Sequence, residues 1–121
     1  MKNVLLFGYG KMGSSIARGW MLEKLDFNFF IIEKEASLRK IANNEGFKAY
    51  ENIECLDLTK NSNFFDVIFL AVKPQQMEET VKNFSKFNLY KPVFVSIAAG
   101  LSFSWFRNKI NNKVKIVRAM P

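Results

Sequence analysis

The sequence predicts an α/β fold in which a doubly wound, mostly parallel sheet forms a single domain of 121 residues. Short, continuous apolar runs alternate along the chain with helix-like segments, and a glycine-rich stretch directly follows the first run. Continuous apolar runs are typical of parallel strands that are buried on both faces, and helices join such strands. We therefore expect any ligand to bind beyond the carboxyl ends of the strands.

Five apolar runs are predicted to be strands, and a weaker strand is predicted at residues 47–49. The five strands are residues 3–7, 29–32, 66–72, 92–97 and 114–117, and the helices are residues 14–25, 37–44, 75–84 and 102–108. Ser37 and Ser102 are placed to cap the helices that they begin. Three residues at helical spacing are predicted to face the core, namely Met12, Ile16 and Trp20. The polar residues 59–63 are predicted to form a surface loop.

The chain contains no histidine and a single cysteine, Cys55. A Ser/His/Asp triad, a histidine-ligated zinc site and an imidazole base are therefore excluded within this chain, and no metal site is suggested. A lone cysteine forms no internal disulfide, which favours a structural thiol in a reducing, cytoplasmic setting. No apolar run is long enough to span a bilayer, and the N-terminus lacks the features of an export signal.

The formal net charge is +7, contributed mostly by lysines that are spread along the chain. A nucleic-acid-binding protein is expected to have clustered arginines and exposed aromatic side chains, whereas most phenylalanines here lie in strand-like runs. Binding of nucleic acid is therefore disfavoured. A small anionic ligand fits the positive charge equally well.

Gly8, Gly10 and Gly13 match the pattern G-x-G-x-x-G between the first strand and the first helix. Gly8 allows a tight turn, Gly10 lets the main chain approach a pyrophosphate, and Gly13 lets the helix pack closely. The helix N-terminus presents N–H groups and a partial positive charge to that phosphate. The pattern and its position predict a Rossmann-type dinucleotide-binding fold. The alternative is a glycine turn that binds no ligand.

Glu33 follows the second strand, where an acidic residue accepts hydrogen bonds from the adenosine ribose. Its carboxylate repels a 2′-phosphate and so favours NAD over NADP. Lys34, Arg39 and Lys40 follow directly, and each is able to offset that repulsion. The sequence leaves this choice open, together with the alternative that Glu33 is an exposed acid without a ligand.

Four motifs in this order and spacing resemble pyrroline-5-carboxylate reductase over essentially the whole chain. They are GYGKMG at residues 8–13, AVKP at residues 71–74, SIAAG at residues 96–100 and RAMP at residues 118–121. The resemblance implies an NAD(P)H-dependent oxidoreductase acting on a C=N bond. Such an enzyme reduces 1-pyrroline-5-carboxylate to L-proline, in the last step of proline biosynthesis.

The resemblance also implies a set of cofactor-binding residues and no catalytic side chain in this chain. Residues 71–74 line the ribose and nicotinamide side, with Lys73 near the phosphates or the substrate carboxylate; alternatively, Lys73 is a solvated loop lysine. Ala98 and Ala99 let the main chain approach the nicotinamide, which Met120 and Pro121 border. The implied set is Gly8, Tyr9, Gly10, Lys11, Met12, Gly13, Glu33, Lys34, Ala71, Val72, Lys73, Pro74, Ala98, Ala99, Gly100 and Met120.

Two departures from the family pattern affect the expected function. Many members have a small polar residue or arginine where this chain has Glu33, so the preference between NADPH and NADH stays open. The chain also ends before an asparagine of the motif and before the helical C-terminal domain that dimerises and completes the substrate pocket in this family. We therefore expect a fragment that binds cofactor with little turnover, exposes an apolar patch, and belongs to a homo-oligomeric enzyme.

Two other interpretations of the chain stay open. In the first, the chain is the nucleotide-binding half of a hydroxyacid or 6-phosphogluconate dehydrogenase relative, a class that shares the G-x-G-x-M-G pattern. In the second, the chain is a stand-alone nucleotide-sensing interaction module. Activity of the completed chain on a hydroxy acid would favour the dehydrogenase, and a native stop after Pro121 would favour the sensing module.

Overall fold

The chain alternates strands and helices in the predicted order in a computed structural model, which describes residues 2–56, 63–86, 89–98 and 100–119. The strands are β1 (Lys2–Phe7), β2 (Phe27–Ile32), β3 (Lys48–Tyr50), β4 (Val67–Leu70), β5 (Val93–Ser96) and β6 (Lys115–Arg118). The helices are α1 (Lys11–Leu22), α2 (Ala36–Asn44), α3 (Pro74–Val81) and α4 (Phe103–Lys109), with 3₁₀ turns at Ile53–Cys55 and Lys82–Lys86. Of the predicted loop at 59–63, only Asn63 lies within the described residues.

The six strands of the described residues form one sheet in the order β3-β2-β1-β4-β5-β6, and every neighbouring pair is parallel. The predicted doubly wound sheet is therefore confirmed. The chain moves from β1 outward to β2 and β3, and then returns to continue on the other side of β1 with β4, β5 and β6. The chain thus leaves the neighbouring strands β1 and β4 in opposite directions, and this reversal of strand order is where sheets of this type bind their ligands.

Residues of β1 alternate between two hydrophobic clusters on opposite faces of the sheet. Leu5 and Phe7 belong to a larger cluster with α3, α4 and the segment between α3 and β5. Leu6 belongs to a smaller cluster with residues of α1, α2 and β2. All three side chains are at most 5% exposed, so β1 is buried on both faces, as its apolar run predicts.

The last strand, β6, differs from the prediction because one of its faces is open. Lys115 and Val117, which share one face, are exposed, and Val117 retains 49% of its surface, whereas Ile116 on the other face is partly buried. The expectation that residues 114–117 are buried on both faces was wrong. β6 is an edge strand, and the second cluster, which includes residues of α1 and α2, is built around β1 and β2 towards the other end of the sheet.

Each of the helices α1, α2, α3 and α4 begins one to three residues away from its predicted start. α1 begins at Lys11 with Gly10 as N-cap, so Gly13 lies inside its first turn. α2 begins at Ala36 with Glu35 as N-cap, so the predicted cap Ser37 was wrong. The predicted cap of α4 is confirmed, because Ser102 Oγ accepts a hydrogen bond of 3.1 Å from the N–H of Trp105.

The face of α1 that packs against the sheet was predicted only in part. Its fully buried residues are Gly13, Ser14 and Ala17. Trp20 packs on Phe29 and Phe69, as expected. Ile16 is only partly buried, and Met12 is 42% exposed and was wrongly placed in the core. Within the described residues, no helix has the length and apolar composition needed to cross a membrane.

Candidate dinucleotide-binding site

The loop between β1 and α1 is fixed by close contacts with the ends of two neighbouring strands. Gly8 has a φ of 97°, a conformation that side-chain-bearing residues rarely adopt. A Cβ atom here would lie 2.8 Å from the carbonyl oxygen of Ala71, directly after β4. The Gly8 N–H donates a hydrogen bond of 2.8 Å to the carbonyl oxygen of Ile32, at the end of β2. Gly8 therefore follows β1 directly and contacts the ends of both β2 and β4.

Gly13 allows the first turn of α1 to pack directly on this loop. A Cβ atom at Gly13 would overlap the carbonyl oxygen of Gly8 and would also contact Ala71. The predicted close packing is present, and its nearest partner is the loop main chain. Any side chain at this position would force α1 away from the loop.

Gly10 differs from Gly8 and Gly13, because a Cβ atom at this position would have no heavy atom within 4 Å. The space beside Gly10 is open, and Gly10 is the N-cap of the 12-residue helix α1. Gly10 has no side chain to cap the helix, and the first turn contains no acidic residue. Such an end offers N–H groups and a partial positive charge, so the residues present fit a phosphate group.

The Glu33 carboxylate links the end of β2 to the glycine loop. Oε1 accepts a hydrogen bond of 2.7 Å from the N–H of Tyr9, and Oε2 accepts one of 2.9 Å from the N–H of Glu35. Arg39 Nη1 donates to the carbonyl oxygens of Glu33 and Lys34, at 2.8 and 2.7 Å. Two predicted site elements, the acidic residue and the glycine loop, are thus in direct contact.

The side chain of Tyr9 points into the protein, although the sequence placed Tyr9 among the cofactor-binding residues. It is 2% exposed and packs with the second cluster. Its hydroxyl donates a 2.7 Å hydrogen bond to Glu45 Oε1, and Arg18 donates two hydrogen bonds to the same carboxylate, at 2.6 and 2.9 Å. The side chain of Tyr9 therefore faces away from any ligand, and its main-chain N–H is bonded to Glu33. Sequence reasoning missed Arg18 and Glu45, whose spacing in the chain gives no signal of their pairing.

These contacts shift the proton affinities of the three groups. Burial, followed by the hydrogen bond to Glu45, raises the pKa of Tyr9 to about 12. The hydrogen bonds from Arg18 and then from Tyr9 lower the pKa of Glu45 below its usual value. At neutral pH the network therefore contains a neutral tyrosine, a carboxylate and a guanidinium, and it fixes the glycine loop to α1 and to the end of α2.

The segment after β4 lies against the glycine loop. The N–H of Ala71 donates a 2.9 Å hydrogen bond to the carbonyl oxygen of Phe7, and a Cβ atom on Gly8 would lie 3.3 Å from Cγ1 of Val72. Lys73 is exposed and is the N-cap of α3, and Pro74 occupies the first turn, where its missing N–H costs no hydrogen bond. The structure thus brings Ala71 and Val72 against the glycine loop, while Lys73 and Pro74 begin α3 directly after them.

The segment after β5 is only partly described. Ala98 is 7% exposed, and its N–H donates a 3.2 Å hydrogen bond to Oγ of the fully buried Ser96. Gly100 is exposed with a φ of 86°. The predicted site residues Ala99 and Met120 lie outside the described residues.

The positively charged residues near the site differ in their surroundings. Lys11 is exposed in the first turn of α1, next to the open space at Gly10. Lys34 Nζ forms a 2.8 Å ion pair with Glu79 of α3, which lowers the pKa of Glu79. Across the described ranges, no group of three or more His, Cys, Asp or Glu side chains could hold a metal ion.

Comparisons with known proteins agree with this geometry. The family model described as "NADP oxidoreductase coenzyme F420-dependent" matches residues 3–100. The pyrroline-5-carboxylate reductase of Aquifex aeolicus (strain VF5) is 29% identical over 116 residues, which are 96% of this chain and 41% of that protein. This chain therefore spans less than half the length of this relative.

Solved structures show the same fold. A pyrroline-5-carboxylate reductase from Coxiella burnetii superposes with a TM-score of 0.83 at 21% identity, over 99% of this chain and 44% of that one. The Plasmodium falciparum pyrroline carboxylate reductase with NADP bound gives a TM-score of 0.72 at 21% identity, over 100% of this chain and 42% of that one. The resemblance to the N-terminal portion of these reductases is confirmed, and the chain belongs to the NADP oxidoreductase coenzyme F420-dependent family.

Proposed function

We propose that this chain is the cofactor-binding part of a pyrroline-5-carboxylate reductase, which converts 1-pyrroline-5-carboxylate to L-proline. The observation that supports this most strongly is the uncapped N-terminus of α1, where Gly10 faces open space at the point where the strand order reverses. A dinucleotide pyrophosphate is the ligand that this arrangement suits. The relatives described above supply the reductase assignment.

The residues of this chain bind and orient the cofactor in this proposal. The N–H groups at the start of α1 bind the pyrophosphate, with Lys11 contributing positive charge. Glu33 accepts hydrogen bonds from the adenosine ribose. Residues 71–74 and Ala98 lie on the nicotinamide side, where their main chain and small side chains permit close approach. Ala99, Gly100 and Met120 are assigned to the same side by resemblance.

Once bound, the nicotinamide would supply a hydride, and the protein must hold the imine carbon close to the donor atom. The relatives are more than twice as long as this chain. We therefore propose that residues outside these 121 complete the substrate pocket, and that this chain alone binds cofactor without turnover. We further propose that the complete enzyme is a cytoplasmic homo-oligomer in which this chain forms one domain.

Two alanine substitutions in α1 test the phosphate site as a matched pair. Gly10→Ala and Gly19→Ala each add one methyl group where nothing lies within 4 Å, so both variants should fold. Titration followed by the fluorescence of the reduced nicotinamide should show at least about tenfold weaker binding for Gly10→Ala, because the methyl group occupies the phosphate position. Gly19→Ala should bind like the wild type. Equal affinities in the two variants would exclude the phosphate site.

An activity measurement tests the proposed incompleteness of the substrate pocket. The wild-type chain is incubated with reduced cofactor and 1-pyrroline-5-carboxylate, and proline is quantified. We expect saturable cofactor binding and no proline above background. Measurable proline formation would show that these 121 residues enclose the reaction by themselves.

A further inference from the structure

We propose that Glu33 makes this site select NADH over NADPH, by holding a fixed negative charge where the 2′ position of the adenosine ribose binds. This inference rests on the proposed function, and it answers the question that the sequence leaves open. It depends on the contacts of Glu33 and on the partners of the neighbouring positively charged side chains.

The Glu33 carboxylate is oriented by the main chain on both of its sides. Its two oxygens accept hydrogen bonds from different segments, the glycine loop at Tyr9 and the start of α2 at Glu35. A carboxylate offers about four acceptor positions in total, so each oxygen retains capacity for a ribose hydroxyl. Glu33 is therefore preorganised to accept hydrogen bonds from a ribose with both hydroxyls free.

The same contacts oppose movement of Glu33 away from a 2′-phosphate. A different rotamer would break two charge-assisted hydrogen bonds and would leave the N–H groups of Tyr9 and Glu35 without this partner. Arg39 binds the carbonyl oxygens of Glu33 and Lys34 and so fixes the main chain from which the carboxylate extends. A phosphate at the ribose 2′ position would then meet a like charge at close range, which is unfavourable.

The structure also shows how the neighbouring positive charges are engaged. Lys34, which is adjacent to Glu33, is paired with Glu79 at 2.8 Å, so a carboxylate already accompanies its charge. Arg39 is held through Nη1 by two main-chain oxygens. Lys40 is an exposed residue within α2. Glu79 thus compensates part of the Lys34 charge, and the main chain of residues 33 and 34 holds the Arg39 guanidinium in place. Both contacts limit how far these two residues can offset the repulsion between Glu33 and a 2′-phosphate.

Equilibrium titrations with NADH and NADPH at one ionic strength test the proposal. The wild-type chain should bind NADH at least about tenfold more tightly than NADPH, because a like charge opposes the 2′-phosphate. Glu33→Gln removes the charge and keeps the side-chain length, so NADH binding should weaken, NADPH binding should strengthen, and the preference should fall below about threefold. Glu51→Gln is the matched control, since it removes an exposed carboxylate after β3 and should leave the preference unchanged.

Each outcome separates this proposal from the proposed function. Equal or tighter binding of NADPH by the wild-type chain overturns the selection by Glu33 and leaves cofactor binding intact. An unchanged preference in a folded Glu33→Gln variant, checked by circular dichroism, also overturns it. Failure of the wild-type chain to bind either cofactor contradicts the proposed function itself. The wild-type ratio decides the selectivity even where Glu33→Gln does not fold.

Discussion

Around β1, α1, β2 and α2, several side-chain hydrogen bonds connect the loops, whereas on the β4–β5 side packing and main-chain hydrogen bonds predominate. Glu33 and Tyr9 belong to the first side, where a carboxylate and a hydroxyl connect separate segments in addition to the main-chain hydrogen bond from Gly8 to Ile32. On the second side, Ala71 bonds through its main-chain N–H to Phe7, and the strands rest on a core that includes Phe84 and Phe94.

This difference corresponds to the two ends of the proposed cofactor. The adenosine end needs charge and hydrogen-bond acceptors at defined positions, and the first side provides them already oriented. The nicotinamide end needs close approach to the main chain, which small residues such as Ala71 and Ala98 permit. The first side should therefore be sensitive to the loss of polar groups, and the second to the loss of core volume.

The largest expected effect is on the second side, for Phe94→Ala. Phe94 is fully buried and contacts Phe84 edge to face at 5.4 Å, so truncation leaves a cavity under β5. The free energy of unfolding should fall by about 3–5 kcal/mol in urea denaturation. The control Phe103→Ala changes a side chain that is 39% exposed and should cost less than about 1 kcal/mol. Similar losses in the two variants would contradict the packing account of this side.

Gly13→Ala should have the next largest effect, on the first side. The added methyl group would overlap the carbonyl oxygen of Gly8, which belongs to the main chain and cannot rotate away. We expect a loss of about 1–3 kcal/mol in the free energy of unfolding, together with weaker cofactor binding.

Gly19→Ala provides the comparison within the same helix. It meets open space and should raise stability by about 0.5–1 kcal/mol, because alanine favours the helix more than glycine does. Thermal unfolding of the two variants shows whether an added side chain destabilises α1 only at Gly13 or at any glycine of the helix. Equal stability changes would exclude a packing requirement specific to Gly13.

Tyr9→Phe should have a smaller effect that depends on pH. Loss of the hydroxyl bonded to Glu45 should cost about 1–2 kcal/mol near neutral pH. The pKa of Tyr9 is raised from 10.0 to about 12 in the folded chain, so its contribution is complete below pH 10 and is lost as the pH rises towards 12. The variant should lack this part of the alkaline loss of stability.

Unfolding free energies measured at pH 8 and at pH 11 test the prediction for Tyr9. Tyr90→Phe, at a side chain that is 64% exposed, is the control and should match the wild type at both values. A Tyr9→Phe variant whose stability declines between these pH values as steeply as that of the wild type would show that Tyr9 does not titrate as described.

The fold could be predicted from the sequence because the apolar runs and the glycines are local signals. The run at residues 3–7 identifies a doubly buried strand, and the spacing of Gly8, Gly10 and Gly13 places the loop that follows it. The exposed face of β6 was not predicted, because an apolar run does not report whether a helix covers the strand.

The details of the site depend on tertiary contacts, which a single sequence does not reveal. The position of Glu33 after β2 is predictable, whereas its hydrogen bonds to the N–H groups of Tyr9 and Glu35 follow from how two loops meet. The burial of Tyr9 against Glu45 likewise depends on the packing of α1 beside α2. From the sequence alone, an aromatic residue in a glycine loop, such as Tyr9, is therefore predicted to contact the ligand.

The most direct test of the central claim, that the start of α1 binds a dinucleotide pyrophosphate, is an NMR titration of the ¹⁵N-labelled chain with NADH. The largest amide shifts are expected at residues 9–13, with further shifts at Glu33 and after β4. Shifts concentrated on the exposed face of β6, or no saturable shifts at residues 9–13, would contradict it.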